Sequence, residues 1–227
     1  MRVLVTGAAS GIGAATCELL AAEGHEPVAA DLATDGDVIG LNVADEHSWV
    51  RVFDRIGRID GLVNCAGIRT RSVIADTELV EFERHLRVNV TGSWLGIREM
   101  FRRHRPGLSA AVVNVASVNA QIAVAGQAHY AASKGAVVAL TKAAAIEGAP
   151  LGVRVNAVAP GPIRTRMTEE RLVDPQQVAW LEGRVPLGRV GEPAEVAGVI
   201  GFLLSEVASY VTGAVLYADG GWVANGA

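Results

Sequence analysis

The chain has 227 residues, half of them hydrophobic, with 26 glycines and a formal net charge of −4. That length is ample for one domain with a full core. The mildly acidic balance argues against a nucleic-acid or anionic-membrane partner. No apolar run reaches the ~18 residues that a membrane span needs, and a strand-like run starts at Val3, leaving no room for a signal peptide. Cys17 and Cys65 lie far apart without metal-ligand spacing. Free thiols, no metal site and a cytoplasmic location are expected.

In chain order, the short apolar run RVLVT at 2–6 reads as a buried strand. GAASGIG at 7–13 and an Ala/Leu-rich helix to about Glu23 follow it. Strand, glycine turn and helix together make a phosphate-binding unit. Glycine lets the backbone approach a pyrophosphate, and the helix N-terminus supplies free N–H groups. Gly7, Ser10, Gly11, Ile12 and Gly13 are the candidates, although their G-x-x-x-G-x-G spacing departs from the G-x-G-x-x-G dinucleotide pattern.

The second strand, PVAA at 27–30, ends in Asp31, eighteen residues after Gly13. An acid near that distance binds the adenosine ribose hydroxyls and repels a 2′-phosphate. No Arg or Lys lies in the glycine turn or between Asp31 and Arg51, so NAD is expected rather than NADP. The turn-rich LATDGD then leads straight into VIGLN, which is too short a connection for a crossover helix.

Residues 45–57 read as a helix with Trp49, Val52, Phe53 and Ile56 on one face. DGLVNCAG at 60–67 is a strand breaking into a glycine turn, and 77–102 keeps a helical apolar period with Asn89 beside the buried face. AAVVNVAS at 110–117 is the next strand, with Ser117 at its end. A helix over 129–147 would put Tyr130 and Lys134 on the same side. A cation there would lower the phenol pKa toward that of a usable acid/base, and Ser117 could hydrogen-bond the same substrate oxygen. VRVNAVAP at 153–160 is a strand broken by PGP, 193–204 a helix, and VTGAVLYADGG at 211–221 the last strand.

Strands and helices alternate about seven times, which argues for one α/β domain, a doubly wound Rossmann-type parallel sheet with helices on both faces. Ligands bind such sheets at the strand C-termini, where Gly7, Asp31, Asn64, Ser117 and Pro160 all fall.

These residues together resemble the short-chain dehydrogenase/reductase family over nearly the whole chain. TGAASGIG at 6–13 resembles its TGxxxGIG turn, and NCAG at 64–67 its NNAG, with Cys65 in place of the second Asn. PGPIRT at 160–165 and DGG at 219–221 match two further segments. The resemblance implies Asn89, Ser117, Tyr130 and Lys134 as the catalytic set. It implies Asn42, Val43, Asn64, Ala66, Gly67, Tyr130, Lys134, Pro160, Gly161, Ile163 and Thr165 as cofactor contacts. The cofactor would be NAD and the product pair a secondary alcohol and its ketone. Lys134 would lower the Tyr130 pKa and bind a ribose, while Asn89 would hold a water of a proton relay. A homotetramer or dimer is implied as well. A catalytically silent NAD-binding sensor, or a nucleotide-binding structural subunit on the same fold, is the alternative.

The expected substrate is a small molecule beneath a lid at 162–190. Arg69 and Arg71 follow one strand, and Arg164 and Arg166 another; either pair could hold a carboxylate, or simply be solvated. His129 is expected as a pocket wall or surface residue, with the other histidines scattered.

Overall fold

The computed structural model describes residues 1–105 and 107–225. Seven parallel strands form one sheet in the order β3-β2-β1-β4-β5-β6-β7. They are β1 (Arg2–Thr6), β2 (Glu26–Asp31), β3 (Ile39–Gly40), β4 (Gly61–Asn64), β5 (Ala110–Val115), β6 (Val153–Pro160) and β7 (Val215–Ala218). The strands are rich in Val and Ala, and β4 and β5 are buried throughout, as expected for a sheet covered on both faces.

Alternation along the strands divides the core. Val3, Val5, Val63 and Val113 pack under α1 (Gly11–Ala22) and α8 (Pro193–Leu204), with Leu20, Val196, Ile200 and Leu203 from those helices. Leu4, Leu62, Val112 and Val155 face the other layer, formed by α2 (Glu46–Ile56), α4 (Gly92–Arg103) and α5 (Ala128–Gly148). Trp49, Phe53, Leu95 and Ala144 complete that face. Local chemistry sets the helix ends. Asp45 caps α2 by accepting from the His47 N–H, and Gly57 ends it at φ 68°. Pro193 starts α8 behind a reciprocal Glu192/Glu195 capping box.

Three sequence expectations are revised. The run over 77–102 is not one uniform α-helix: α3 (Leu79–His85) passes into a π-helical stretch, Leu86–Thr91, and then into α4. Such π turns are frequent at functional sites, and this one carries Asn89. Of VIGLN, only Ile39–Gly40 pairs with β2. The last strand is confined to Val215–Ala218, because Gly213 (φ 73°) and Gly220 (φ 62°) bend the chain on either side. As expected, the β2–β3 connection carries no helix.

The sheet order reverses between β1 and β4. At that point the two strand ends diverge and open a crevice. Gly7 and Ala66 line its floor so closely that a Cβ on Gly7 would lie 2.8 Å from the Ala66 backbone. Thr6 Oγ1 pins the same corner by accepting from the N–H groups of Cys65 and Ala66, both at 3.1 Å. Beyond β6, the segment expected as a lid folds into α6 (Glu169–Leu172) and α7 (Pro175–Glu182). Leu181, Val185 and Val190 from this segment pack on Trp222.

Candidate active site

The crevice is a cleft of about 530 Å³ along the C-terminal ends of the strands. At one end lies the glycine turn. The Ser10 side chain does not cap α1, so first-turn N–H groups are left for an anionic ligand. Gly11 sits at φ 55°, and a Cβ there would press on Thr165 at 3.2 Å. Asp31 lines the same end. Its carboxylate is held in place by backbone donors, Ala9 N–H at 3.0 Å and Ala33 N–H at 3.2 Å. Asn42 and Val43 form the adjoining wall, where the Asn42 side chain accepts from Ala44 N–H and the Val43 carbonyl accepts from the Trp49 indole. Ala66, Gly67, Pro160, Gly161, Ile163 and Thr165 continue the lining. A turn that only glycine can form, open helix-end donors and a carboxylate one strand away fit a dinucleotide.

Ser117, Tyr130 and Lys134 meet at the other end of the cleft. Ser117 stands where β5 leaves the sheet, and the first turns of α5 carry the other two. The Ser117 hydroxyl lies close enough to the Tyr130 phenol to favour its ionised form. Tyr130 is 8 % exposed and Lys134 5 %, with the Lys134 Nζ 5.8 Å from the Tyr130 ring centre. Nζ donates to the Val115 carbonyl at 2.7 Å. Burial pushes this ammonium down to about 8, since a cation is poorly solvated there.

One expectation is corrected here. Within the cleft the Tyr130 pKa is raised, because burial outweighs the opposing influence of Ser117 and the Arg69 charge. Lys134 is not among the groups that shift it. Its ammonium is turned to the Val115 carbonyl and is itself weakened as a cation by burial.

Several expected site residues act from outside the cleft lining. Gly13 packs α1 on β1: a Cβ there would lie 2.2 Å from the Gly7 carbonyl oxygen. Asn64 is buried between β4, β5 and α4, donating to Asn114 Oδ1 at 2.8 Å and to the Ser93 carbonyl at 3.3 Å. Asn89 also reaches the site indirectly. Its amide donates to the Ile68 carbonyl and Ser133 Oγ and accepts from Ile68 N–H, which holds the strand-end loop against α5. Its Oδ1 would meet a Cβ on Gly67 at 3.1 Å, and Lys134 Nζ would meet the same atom at 3.5 Å.

The four arginines separate. Arg69 and Arg166 line the cleft; Arg71 and Arg164 do not. Arg164 points to the α8 side and pairs with Glu192 at 3.1 Å, so its expected place at the substrate mouth is not realised. His129 is also revised: it is buried, 4.4 Å edge-on from His85, with Thr70 Oγ1 3.1 Å from its Nε2. This knot secures the first turn of α5 beside Tyr130.

Sequence reading missed Arg171, Leu181, Gln127 and Trp222, all on the cleft wall. No spacing signal marks them, because they arrive from α6 and α7, the C-terminal turn and the start of α5. No group of three or more potential metal ligands occurs among the described residues.

Comparison with known proteins agrees with this geometry. Residues 7–223 match a family model described as enoyl-(acyl carrier protein) reductase. The chain is 40 % identical to a cyclopentanol dehydrogenase of Comamonas testosteroni, covering 98 % of this chain and 97 % of that one. It is 37 % identical to a cis-4-hydroxycyclohexanecarboxylate dehydrogenase of Sinomonas cyclohexanicum, covering 97 % and 96 %. Among solved structures, a protein described as a 2-deoxy-D-gluconate 3-dehydrogenase of Agrobacterium tumefaciens, with bound NADP, superposes at TM-score 0.93. It shares 33 % identity, over 98 % of this chain and 96 % of that one. The seven-stranded parallel sheet, the crevice beside Gly7 and the full-length matches make the chain a member of the short-chain dehydrogenase/reductase family, oxidoreductases that act on CH–OH groups with a nicotinamide cofactor.

Proposed function

We propose that this protein is an NAD-dependent dehydrogenase of ring-bearing secondary alcohols, with Tyr130 as the acid/base. The observation that carries this reading is the joining of Ser117, buried Tyr130 and buried Lys134 to a glycine cradle and Asp31 along one cleft. A silent sensor or structural subunit has no need of a buried lysine ammonium beside a buried phenol, since both are costly to desolvate. The Asp31 carboxylate favours NAD, because it suits free ribose hydroxyls and repels a 2′-phosphate. Relatives named for cyclopentanol and for a hydroxycyclohexanecarboxylate support a cyclic substrate.

Bound NAD supplies the hydride acceptor. The protein supplies position and charge. Ser117 orients the substrate oxygen and Tyr130 takes the alcohol proton during oxidation or returns it during reduction. Lys134, buried beside the phenol, would offer its ammonium to a ribose hydroxyl of the cofactor. Asn89 fixes the Ile68 loop that borders the reacting oxygen. The segment 162–190 serves as the lid, excluding water when α6 and α7 close over substrate.

We further propose a cytoplasmic homotetramer or dimer. The unpaired Cys17 and Cys65 suit a reducing compartment. Exposed Ile74, Leu79 and Val80 on one side, and Val207 and Tyr210 near β7, offer apolar surface for subunit contact. No helix among the described residues is long and apolar enough to cross a membrane.

The deciding experiment is Tyr130→Phe. Turnover of cyclic alcohols with NAD+ should fall by about a thousandfold, while NADH binding, followed by fluorescence, stays within about threefold of the parent. Near-normal turnover would remove Tyr130 from the chemistry.

A further inference from the structure

The alcohol end of the cleft carries more positive charge than the fold requires. Arg69 leaves the loop after β4, is partly buried, and donates to the Met167 carbonyl at 2.5 Å. Arg171 rises from α6 and is held by two neighbours: its Nη2 donates to Gln177 Oε1 at 3.3 Å, and its guanidinium lies 5.2 Å from the Trp180 ring centre. Its Nε is buried without a hydrogen-bond partner. Both side chains line the cleft that holds Tyr130. Among the described residues neither has a carboxylate within 4.0 Å, in contrast to Arg98, Arg103, Arg164 and Arg189, which all do. Glu170 is the acid that acts on Arg69, and it does so from beyond ion-pair range.

These cations oppose one another. Burial and the charges of Arg71 and Arg69 push Arg171 down, and burial and Arg71 do the same to Arg69. Two partly buried guanidiniums without a paired anion are costly in the free protein, and a bound carboxylate would relieve that cost. Around them the wall is apolar: Val118, Leu181 and Trp222 line the same space. The whole therefore suits a ring with an acid group at one end.

We propose that Arg69 and Arg171 form a carboxylate-binding subsite, so that the substrate is a cyclic hydroxy acid whose carboxylate docks on the two arginines while its hydroxyl reaches Tyr130. This rests on the dehydrogenase reading for the hydroxyl end only. The arginine pair also moves the acid contact from Arg164, which is committed to Glu192, to Arg171 on α6. Closing the lid therefore brings one half of the clamp to the other.

The test separates the two readings by using an unreactive probe. Cyclohexanecarboxylate and its methyl ester are titrated calorimetrically into the protein, with and without NADH, alongside kcat/KM for 4-hydroxycyclohexanecarboxylate and its methyl ester with NAD+. The acid should bind and react about 10- to 100-fold better than the ester, as charge-assisted hydrogen bonds allow. That ratio should collapse toward one in Arg69→Gln and in Arg171→Gln and persist in Arg164→Ala. Equal binding of acid and ester by the parent, or binding of neither, overturns the subsite, as does a preference that survives both Gln variants. A loss of NADH affinity in those variants as large as the loss for the acid would assign the arginines to the cofactor's phosphates instead, and also overturns it. A protein that oxidises no alcohol yet binds the acid through these arginines would sink the dehydrogenase reading and leave the subsite standing.

Discussion

Lys134 carries its charge at a cost, and that cost is measurable. Burial lowers its pKa from 10.5 to about 8. At 1.36 kcal/mol per unit this corresponds to about 3 kcal/mol. Between about pH 8 and 10.5 an unfolded chain still holds a proton that the folded, ligand-free protein has released. Stability contributed by this group therefore rises with pH through that window and is flat below it. Tyr130, Cys17 and Cys65 are all raised, the last two to about 11 and about 12, and act with the opposite sign above their ordinary values. Comparison with Lys134→Met removes those shared contributions. Urea denaturation of both proteins at pH 7.5, 8.5 and 9.5, at one protein concentration and without cofactor, should show the parent gaining about 2 kcal/mol on the variant across the series. Parallel stability profiles would refute a buried, proton-releasing lysine and remove the reason for placing a costly cation beside Tyr130.

Two further substitutions test the cofactor end. Asp31→Ser should weaken NADH about tenfold, by loss of charged acceptors for the ribose, and strengthen NADPH, by loss of repulsion. Fluorescence titration with both cofactors reads the ratio, and an unchanged ratio would show that Asp31 does not choose between them. Gly13→Ala puts a methyl group where the Gly7 carbonyl oxygen lies 2.2 Å away. Overpacking of this kind costs about 1–3 kcal/mol or more, so a Tm drop of about 5–10 °C is expected for a chain of this size. A Tm within one degree of the parent would mean that α1 does not sit on β1 as described.

Much of the framework was legible in the sequence because it depends on local chemistry. The valine-rich runs could only be buried strands. Strand alternation with helices required a parallel sheet, and such a sheet places its ligand site at the strand ends. The four-residue spacing of Tyr130 and Lys134 put them on one face of α5 before any packing was known. Asp31 was marked in the same way, by its distance from the glycine turn. Ser117 needed only its position at the end of β5.

Tertiary structure decided what spacing does not encode. Asn64 and Gly13 sit inside motifs yet serve packing, because Asn114 and Ser93 claim the Asn64 amide and the Gly7 carbonyl crowds Gly13. Arg164 and Arg166 are two residues apart, yet only Arg166 faces the cleft, since the segment after β6 bridges Ile163 to Gly191 and turns Arg164 toward Glu192. His85 and His129 are forty-four residues apart in sequence and meet only because α3 packs on α5. The Tyr130 pKa followed the same rule: sequence supplied the neighbouring cation, but burial, a property of the whole fold, set the direction. Arg69 and Arg171 could not be paired from sequence at all. One follows β4 and the other lies on α6, and only the folding of the chain over the strand ends brings two guanidiniums to one cleft.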